Sequence, residues 1–287
     1  MSSPEFGYKA LFAVPTHDGE SVISHAYNSP LEAFQFGIDF QPLVYKGTLE
    51  QVLNDLEISF DPILVAVHPP RIIRAAIDYK VAHPESENAL RLVRDATDLS
   101  LAFYRSETGA RLCVSAFREL VQTVDEDLLT APLIQKADSQ TWDSSHPRHS
   151  SDTAVNLVSA TKGTSIAFIA LAHGGVMAGM DVFLRYCAKV KTESVFYPIR
   201  FSSFKQRDVV PQISSIEIAY LKNILGNKQL VLFDEDVSSG KTMGVAAHWF
   251  KTRLNTSVLT VANSYATQAQ EDTFDLRLHR NRFTALN

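Results

Sequence analysis

The sequence predicts an α/β protein whose C-terminal half holds a mainly parallel sheet, and three observations lead to that prediction. After about residue 153, helical patterns alternate with short runs of Val, Ile, Leu and Phe, which is typical of βαβ units. A chain of 287 residues with 45% hydrophobic residues can bury a large core. A polar, serine-rich segment near residues 135–152 lacks apolar periodicity. We therefore divide the chain into an N-terminal region (1–135), a linker (136–152) and a core (153–287).

The N-terminal region reads as α/β or α+β. Its predicted strands are the apolar runs at residues 9–15, 42–46 and 62–68. A helix is predicted over residues 48–57, because its apolar residues recur at helical spacing and Thr48 with Gln51 matches a capping box. A long amphipathic helix is predicted over residues 86–105, and residues 110–124 are left open between strand and helix.

The core follows a regular alternation of helices and strands. Its predicted helices are residues 153–160, 176–188, 215–225 and 241–254. Its predicted strands are residues 165–172, 194–199, 229–233 and 257–262. Ligands of parallel sheets bind at the carboxyl ends of the strands. The segments that follow these strands are therefore where we look for a functional site.

Composition excludes several classes of protein. The longest apolar runs are far shorter than the roughly 20 residues that span a bilayer, and the first residues show no secretory signal pattern. The two cysteines, Cys113 and Cys187, are too few for a disulfide framework. The net charge of −5 argues against nucleic acid as the main partner. We expect a cytoplasmic protein without a membrane partner.

The stretch LVLFDEDVSSGKT, residues 230–242, combines carboxylates with a phosphate-binding turn. Small and hydroxylated residues around Gly240 allow backbone N–H groups to converge at a helix N-terminus, where a phosphate is favoured. The carboxylates at the strand end suit the hydroxyls of a ribose. A Walker A loop needs a glycine five positions before Gly240, where Glu235 stands. The pattern therefore argues against a nucleoside triphosphate.

These 13 residues resemble the motif of the type I phosphoribosyltransferases: four apolar residues, two acidic residues, two further residues, and a loop such as DTGKT or TTGGT. The resemblance implies a Rossmann-like fold and binding of 5-phosphoribosyl-1-pyrophosphate (PRPP) with Mg²⁺. It implies that Asp234 and Glu235 are catalytic residues that hold the ribose 2′- and 3′-hydroxyls. The implied 5′-phosphate ligands are Ser238, Ser239, Gly240, Lys241 and Thr242.

Two positions depart from the family pattern. Asp236 stands where an apolar residue is usual, so it either faces the magnesium pyrophosphate or shifts the acidic pair to Glu235 and Asp236. Ser238 stands where purine-salvage members carry an aspartate base, which argues against a 6-oxopurine acceptor. The candidate magnesium ligands, directly or through water, are Asp234, Glu235 and Asp236.

Two further segments fit the resemblance in chain order. The first follows the strand at 165–172, and the resemblance implies pyrophosphate binding by His173, Gly174 and Gly175. The second, residues 196–215, resembles the family's flexible loop that closes over PRPP. Its candidate loop residues are Arg200, Ser202, Ser203 and Phe204, and its candidate catalytic cations are Lys205 and Arg207. Closure would exclude water and bring positive charge to the leaving pyrophosphate.

The sequence thus predicts a PRPP-dependent phosphoribosyltransferase, a glycosyltransferase, with an unidentified small-molecule acceptor. The N-terminal region would supply a hood, an acceptor site or an oligomer contact, and we expect a homo-oligomer. Three alternatives stay open: a PRPP-sensing regulator without turnover, an enzyme acting on another ribose phosphate, and a P-loop-like nucleotide binder.

Overall fold

A computed structural model describes residues 27–36, 44–107, 109–135, 139–203 and 207–265. The predicted strand at residues 9–15 and the loop residues Phe204 and Lys205 lie outside these ranges.

The described N-terminal region is mainly helical. A 3-10 helix (Pro30–Ala33) precedes β1 (Tyr45–Thr48), α1 (Leu49–Ile58), α2 (Pro62–Ala82), α3 (Glu87–Tyr104), α4 (Leu112–Asp125), α5 (Asp127–Thr130) and β2 (Pro132–Gln135). The two strands pair antiparallel. The capping box of Thr48 and Gln51 is present at the start of α1, so that prediction is confirmed. The segment left open at 110–124 is a helix.

The prediction of a strand at residues 62–68 is wrong, because these residues form the first third of helix α2. Asp61 caps the helix by accepting a hydrogen bond from the Ile63 N–H, and Pro62 occupies the first turn, where proline is tolerated. Ala66, Val67 and His68 at the end of the run are buried, and periodicity alone cannot separate a short apolar helix segment from a buried strand. Pro70 removes a donor inside the helix, and the Tyr104 hydroxyl donates to the Ala66 carbonyl that this leaves free (2.7 Å).

The segment expected to be a linker is largely helical. It contains α6 (Ser139–Ser144) and the start of α7 (Pro147–Thr161), with Pro147 in the first turn. Trp142 is buried and stacks on Phe36. Ser144, Ser145 and Ser150 are buried. The Ser144 hydroxyl lies 2.6 Å from the Ser264 hydroxyl, and the Asn263 amide donates to the Ser150 hydroxyl (3.2 Å). The polar residues of this segment therefore belong to a buried hydrogen-bond network. The division of the chain into domains stays a prediction.

The rest of the chain forms the predicted α/β core. Its elements are β3 (Ile166–Ala172), α8 (Gly174–Lys189), β4 (Val195–Arg200), α9 (Ser215–Leu225), β5 (Gln229–Val237), α10 (Lys241–Leu254) and β6 (Val258–Tyr265). The sheet has the order β4-β3-β5-β6 with every pair parallel. All seven residues of β3 are buried, as expected for a central strand covered on both faces. The α/β class and the mainly parallel sheet are confirmed.

The connectivity creates a switch point between β3 and β5. The chain runs from β3 outward to β4 on one side and from β5 outward to β6 on the other. Right-handed crossovers then place α8 on one face of the sheet, and α9 and α10 on the opposite face. In open parallel sheets the crevice at such a point is where ligands bind. The segments that follow β3 and β5 therefore meet at the position expected for a site.

Candidate functional site

The acidic residues lie at the end of β5, still within the sheet. Asp234 pairs with Ala262 of β6, and Asp236 pairs with Ser264. Glu235 is 6% exposed, whereas its two acidic neighbours are half-buried. The Ser264 hydroxyl donates to Asp236 Oδ1 (2.8 Å). Asp236 is thus tied to the neighbouring strand, while Glu235 points into the crevice.

Glu235 fills the space above the glycine loop, which we define as residues 173–175. A Cβ added to Gly174 would lie 1.8 Å from Glu235 Oε1, so a larger residue at this position would have to displace the carboxylate. The Thr141 hydroxyl of α6 donates to Glu235 Oε1 (3.0 Å). The other oxygen, Oε2, is buried and has no hydrogen-bond partner among the described residues. A buried acceptor without a donor is costly, and a bound ligand could supply one.

The carboxyl groups of the acidic pair, Asp234 and Glu235, repel each other. Burial raises the pKa of Asp234 well above its usual range, and the negative charge of Glu235, a hydrogen bond with the Glu235 side chain and then the charge of Asp236 add to the effect. Asp234 therefore resists ionisation beside the neighbouring carboxylates. A ligand that donates hydroxyl hydrogen bonds, or a cation, would relieve this repulsion.

His173 lies in a charged cluster at the other end of the glycine loop. Its Nε2 is 2.9 Å from Asp78 Oδ1 and 2.9 Å from Arg200 Nη1. Arg200 Nη1 also donates to Asp78 Oδ1 (2.7 Å). Burial lowers the pKa of His173, against the opposing effect of the Asp78 carboxylate. The peptide bond between Ala172 and His173 is cis. Arg200, predicted as a loop residue, is the last residue of β4 and orders the glycine loop.

The SSGKT loop, residues 238–242, forms the turn between β5 and α10. Gly240 has a left-handed conformation (φ +77°), which favours glycine, and α10 begins at Lys241. Ser238, Ser239 and Lys241 are exposed. The predicted order of apolar strand, acidic residues, turn and helix is therefore present.

We call the described residues after β4, 201–203 and 207–214, the β4 loop. Ser203 of this loop reaches the SSGKT loop. The Ser203 and Thr242 hydroxyls lie 2.5 Å apart. At the base of the loop the Ser202 N–H donates to Asp208 Oδ2 (2.8 Å), and the Asp208 N–H donates to the Ser202 carbonyl (3.1 Å). Arg207 is exposed in a left-handed conformation. The β4 loop thus lies against the first turn of α10.

The fold brings together most of the predicted residues and adds others. The acidic pair meets Gly174 and Gly175, and Ser203 meets Thr242. Sequence reasoning missed Thr141 and Asp78, which lie 94 and 95 residues from their partners. Asp78 lies in the same helix as residues 62–68, which were predicted to be a strand, and Thr141 lay in the predicted linker. No local pattern in the sequence signals either contact.

The described residues contain no group of three or more His, Cys, Asp or Glu side chains that could hold a metal ion by themselves. Within the same ranges, no helix is long and apolar enough to cross a membrane. Comparison with family models, curated proteins and solved structures finds no match. The chemistry of the site must therefore be argued from its own residues.

Proposed function

We propose that the protein is a PRPP-dependent phosphoribosyltransferase. The observation that carries the proposal is the contact between Glu235 and Gly174 at the switch point, with the Glu235 carboxylate above a glycine loop at the start of α8. In this proposal the carboxylate accepts hydrogen bonds from the ribose hydroxyls, beside the backbone donors that bind the diphosphate. The SSGKT loop offers a second anion site at the start of α10, on the same edge of the sheet. One ribose carrying two phosphate groups spans such an arrangement.

Each part of the site has a role in this proposal. Residues 238–242 hold the 5′-phosphate, Asp234 and Glu235 hold the ribose hydroxyls, and residues 173–175 hold the pyrophosphate. A nitrogen lone pair of the acceptor attacks C1 of the ribose, and the C1–O bond breaks with its electrons leaving on pyrophosphate. The β4 loop limits access of water to the reacting carbon. Catalysis rests on positioning and on charge stabilisation.

Magnesium fits this site as part of the substrate complex. Mg²⁺ is usually held by one or two carboxylates together with substrate phosphate oxygens and waters. Asp234 and Glu235 provide that number of carboxylates, and Glu235 Oε2 is a buried oxygen without a partner among the described residues. The bound ion would neutralise charge on the pyrophosphate oxygens. A cytoplasmic location and a homo-oligomeric state remain predictions from the sequence.

A thermal-shift comparison of PRPP with ATP, each with magnesium, tests the proposal. We expect PRPP to raise the melting temperature of the wild-type protein and not that of Asp234→Asn/Glu235→Gln, and ATP to have a smaller effect. Pyrophosphate release is then measured across nitrogen nucleophiles. Binding of PRPP without release for any acceptor would favour the sensor alternative. Stabilisation by ATP alone would contradict the proposal.

A further inference from the structure

Helix α2 reaches the glycine loop through the side chain of Asp78. Its Oδ1 atom lies 2.9 Å from Nε2 of His173 and accepts a hydrogen bond from Nη1 of Arg200 (2.7 Å). The other oxygen, Oδ2, lies 3.7 Å from Nε of Arg74 on the same helix. Burial by itself would raise the pKa of Asp78, but the hydrogen bond with His173 and the nearby cationic side chains lower it. The carboxylate is therefore ionised at neutral pH.

The imidazole of His173 is held through one of its two ring nitrogens. Nε2 meets Asp78 and Arg200, whereas Nδ1 is buried without a hydrogen-bond partner among the described residues. His173 is also the N-cap residue of α8, and its side chain makes no capping hydrogen bond to that helix. The orientation of the ring therefore depends on the two side chains at Nε2.

The two side chains at Nε2 come from different parts of the fold. Arg200 ends β4 and is paired with the last residue of β3, so the sheet fixes its backbone. Asp78 is carried by α2. Two residues further on in this helix, Lys80 donates to the buried Glu217 carboxylate of α9 (2.6 Å). His173 thus lies between a strand end and a helix that other contacts hold in place.

The backbone of the glycine loop gains from such an anchor. The first N–H groups of α8 follow His173 directly, and N–H groups at a helix start bind a phosphate when they converge on it. Gly174 and Gly175 by themselves restrict the backbone less than other residues would. A loop that is held in its bound conformation before the ligand arrives loses less entropy on binding. The contacts of His173 therefore bear on the affinity of this loop for pyrophosphate.

We propose that Asp78 is a positioning residue of the pyrophosphate site: it holds His173, and through it the backbone of the glycine loop, in the conformation that binds pyrophosphate. The inference rests on the proposed function and gives the N-terminal helices a part in the same site. Binding of pyrophosphate then depends on Asp78. Binding of ribose 5-phosphate does not, because in the proposed function that ligand contacts the SSGKT loop and the acidic pair.

Calorimetry on the full chain with two probes, magnesium pyrophosphate and ribose 5-phosphate, tests the inference. We expect Asp78→Ala to weaken binding of magnesium pyrophosphate about three- to tenfold and to keep the affinity for ribose 5-phosphate within about twofold. The side chain of Asp78 is 44% exposed and alanine favours helix, so the fold should persist. Glu85→Ala is the matched control and should change neither affinity, because Glu85 also joins the N-terminal helices to the core, through the Ser215 hydroxyl (2.6 Å).

A second comparison shows whether Asp78 acts through His173. In the background of His173→Asn, which removes the imidazole, Asp78→Ala should weaken binding of pyrophosphate no further. Melting curves show whether each variant is folded. If Asp78→Ala is unfolded, Asp78→Asn keeps the size of the side chain and removes its charge, and the same selective loss is expected.

The outcomes separate the inference from the proposed function. Equal weakening of both ligands, or no weakening, in Asp78→Ala overturns the inference alone. Tighter binding of pyrophosphate also overturns it, since the carboxylate would then block an anion site. A loss in the His173→Asn background as large as in the wild-type protein does the same, because Asp78 would act independently of His173. A wild-type protein that binds neither PRPP nor magnesium pyrophosphate contradicts the proposed function and the inference with it.

Discussion

At the scale of single residues, Gly174 lies so close to the Glu235 carboxylate that a side chain at residue 174 would displace it. The carboxylate occupies the position that a Cβ at residue 174 would take, and Thr141 holds it there. Glu235 is buried, so it cannot swing into solvent without opening the crevice. The glycine is thus a requirement of the acidic site and not only of a tight turn.

Gly174→Ala should damage the site while leaving the fold in place. The new methyl group must displace the Glu235 carboxylate from Thr141, and overpacking of this kind costs about 1–3 kcal/mol. We expect PRPP binding to weaken about tenfold or more. Gly109→Ala is the matched control, because a Cβ there meets no atom within 4 Å. Equal PRPP affinity in the two variants, measured by calorimetry, would show that PRPP binding does not depend on the position of the Glu235 carboxylate.

Asp234→Asn should stabilise the ligand-free protein. The pKa of Asp234 is raised, so its contribution to stability is present below its unfolded pKa and is lost as pH rises through the folded pKa. Removing a repulsion equal to one pKa unit is worth about 1.4 kcal/mol. We therefore expect the variant to melt a few degrees higher near neutral pH, with the difference vanishing at acidic pH. A lower melting temperature for Asp234→Asn than for the wild-type protein at neutral pH would contradict a raised pKa of Asp234.

At the scale of elements, capped and amphipathic segments could be predicted from sequence. The bounds predicted for α9 match those observed because Ser214 and Glu217 form a capping box at its start. The first third of α2 was predicted to be a strand because it is almost entirely apolar and is followed by two prolines, as at the end of a strand. The acidic run and the glycine loop were found because their chemistry is local in the chain. The contacts of Thr141 and Asp78 were not, because these residues lie 94 and 95 residues from their partners in the chain.

The β4 loop and the first turn of α10 should move together. Thr242→Val removes the hydroxyl contact with Ser203 while keeping a β-branched side chain. We expect faster amide hydrogen exchange at residues 202–203 and 207–208, and PRPP binding weakened by about three- to tenfold. Thr252→Val, at an exposed position of the same helix, is the control. Unchanged exchange in Thr242→Val would mean that the contact does not hold the loop.

At the scale of the whole molecule, a buried ion pair joins the N-terminal helices to the core. Lys80 of α2 donates to Glu217 Oε2 of α9 (2.6 Å), and the Tyr197 hydroxyl of β4 donates to Oε1 (2.9 Å). Both charged side chains are almost fully buried. Buried pairs are sensitive to loss of one partner, because the remaining charge is left uncompensated. The position of α2 over the site thus depends on this pair.

Lys80→Met should destabilise the protein by about 3–5 kcal/mol, because it leaves Glu217 buried without its cation. The double variant Lys80→Met/Glu217→Gln should recover a large part of that loss, since glutamine can keep the capping role. Urea unfolding of the single and double variants measures the coupling. A loss below about 1 kcal/mol in Lys80→Met would show that the two halves do not depend on the pair.

The binding of the ribose hydroxyls by Asp234 and Glu235 is tested most directly by calorimetric titration of magnesium PRPP in buffers of different ionisation enthalpy. Since the pKa of Asp234 is raised in the free protein, binding of ribose hydroxyls and a cation should release a proton. We expect saturable binding with buffer-dependent heat in the wild-type protein, and strongly weakened binding without proton release in Asp234→Asn. PRPP binding of equal strength in Asp234→Asn/Glu235→Gln, or no binding to the wild-type protein, would contradict it.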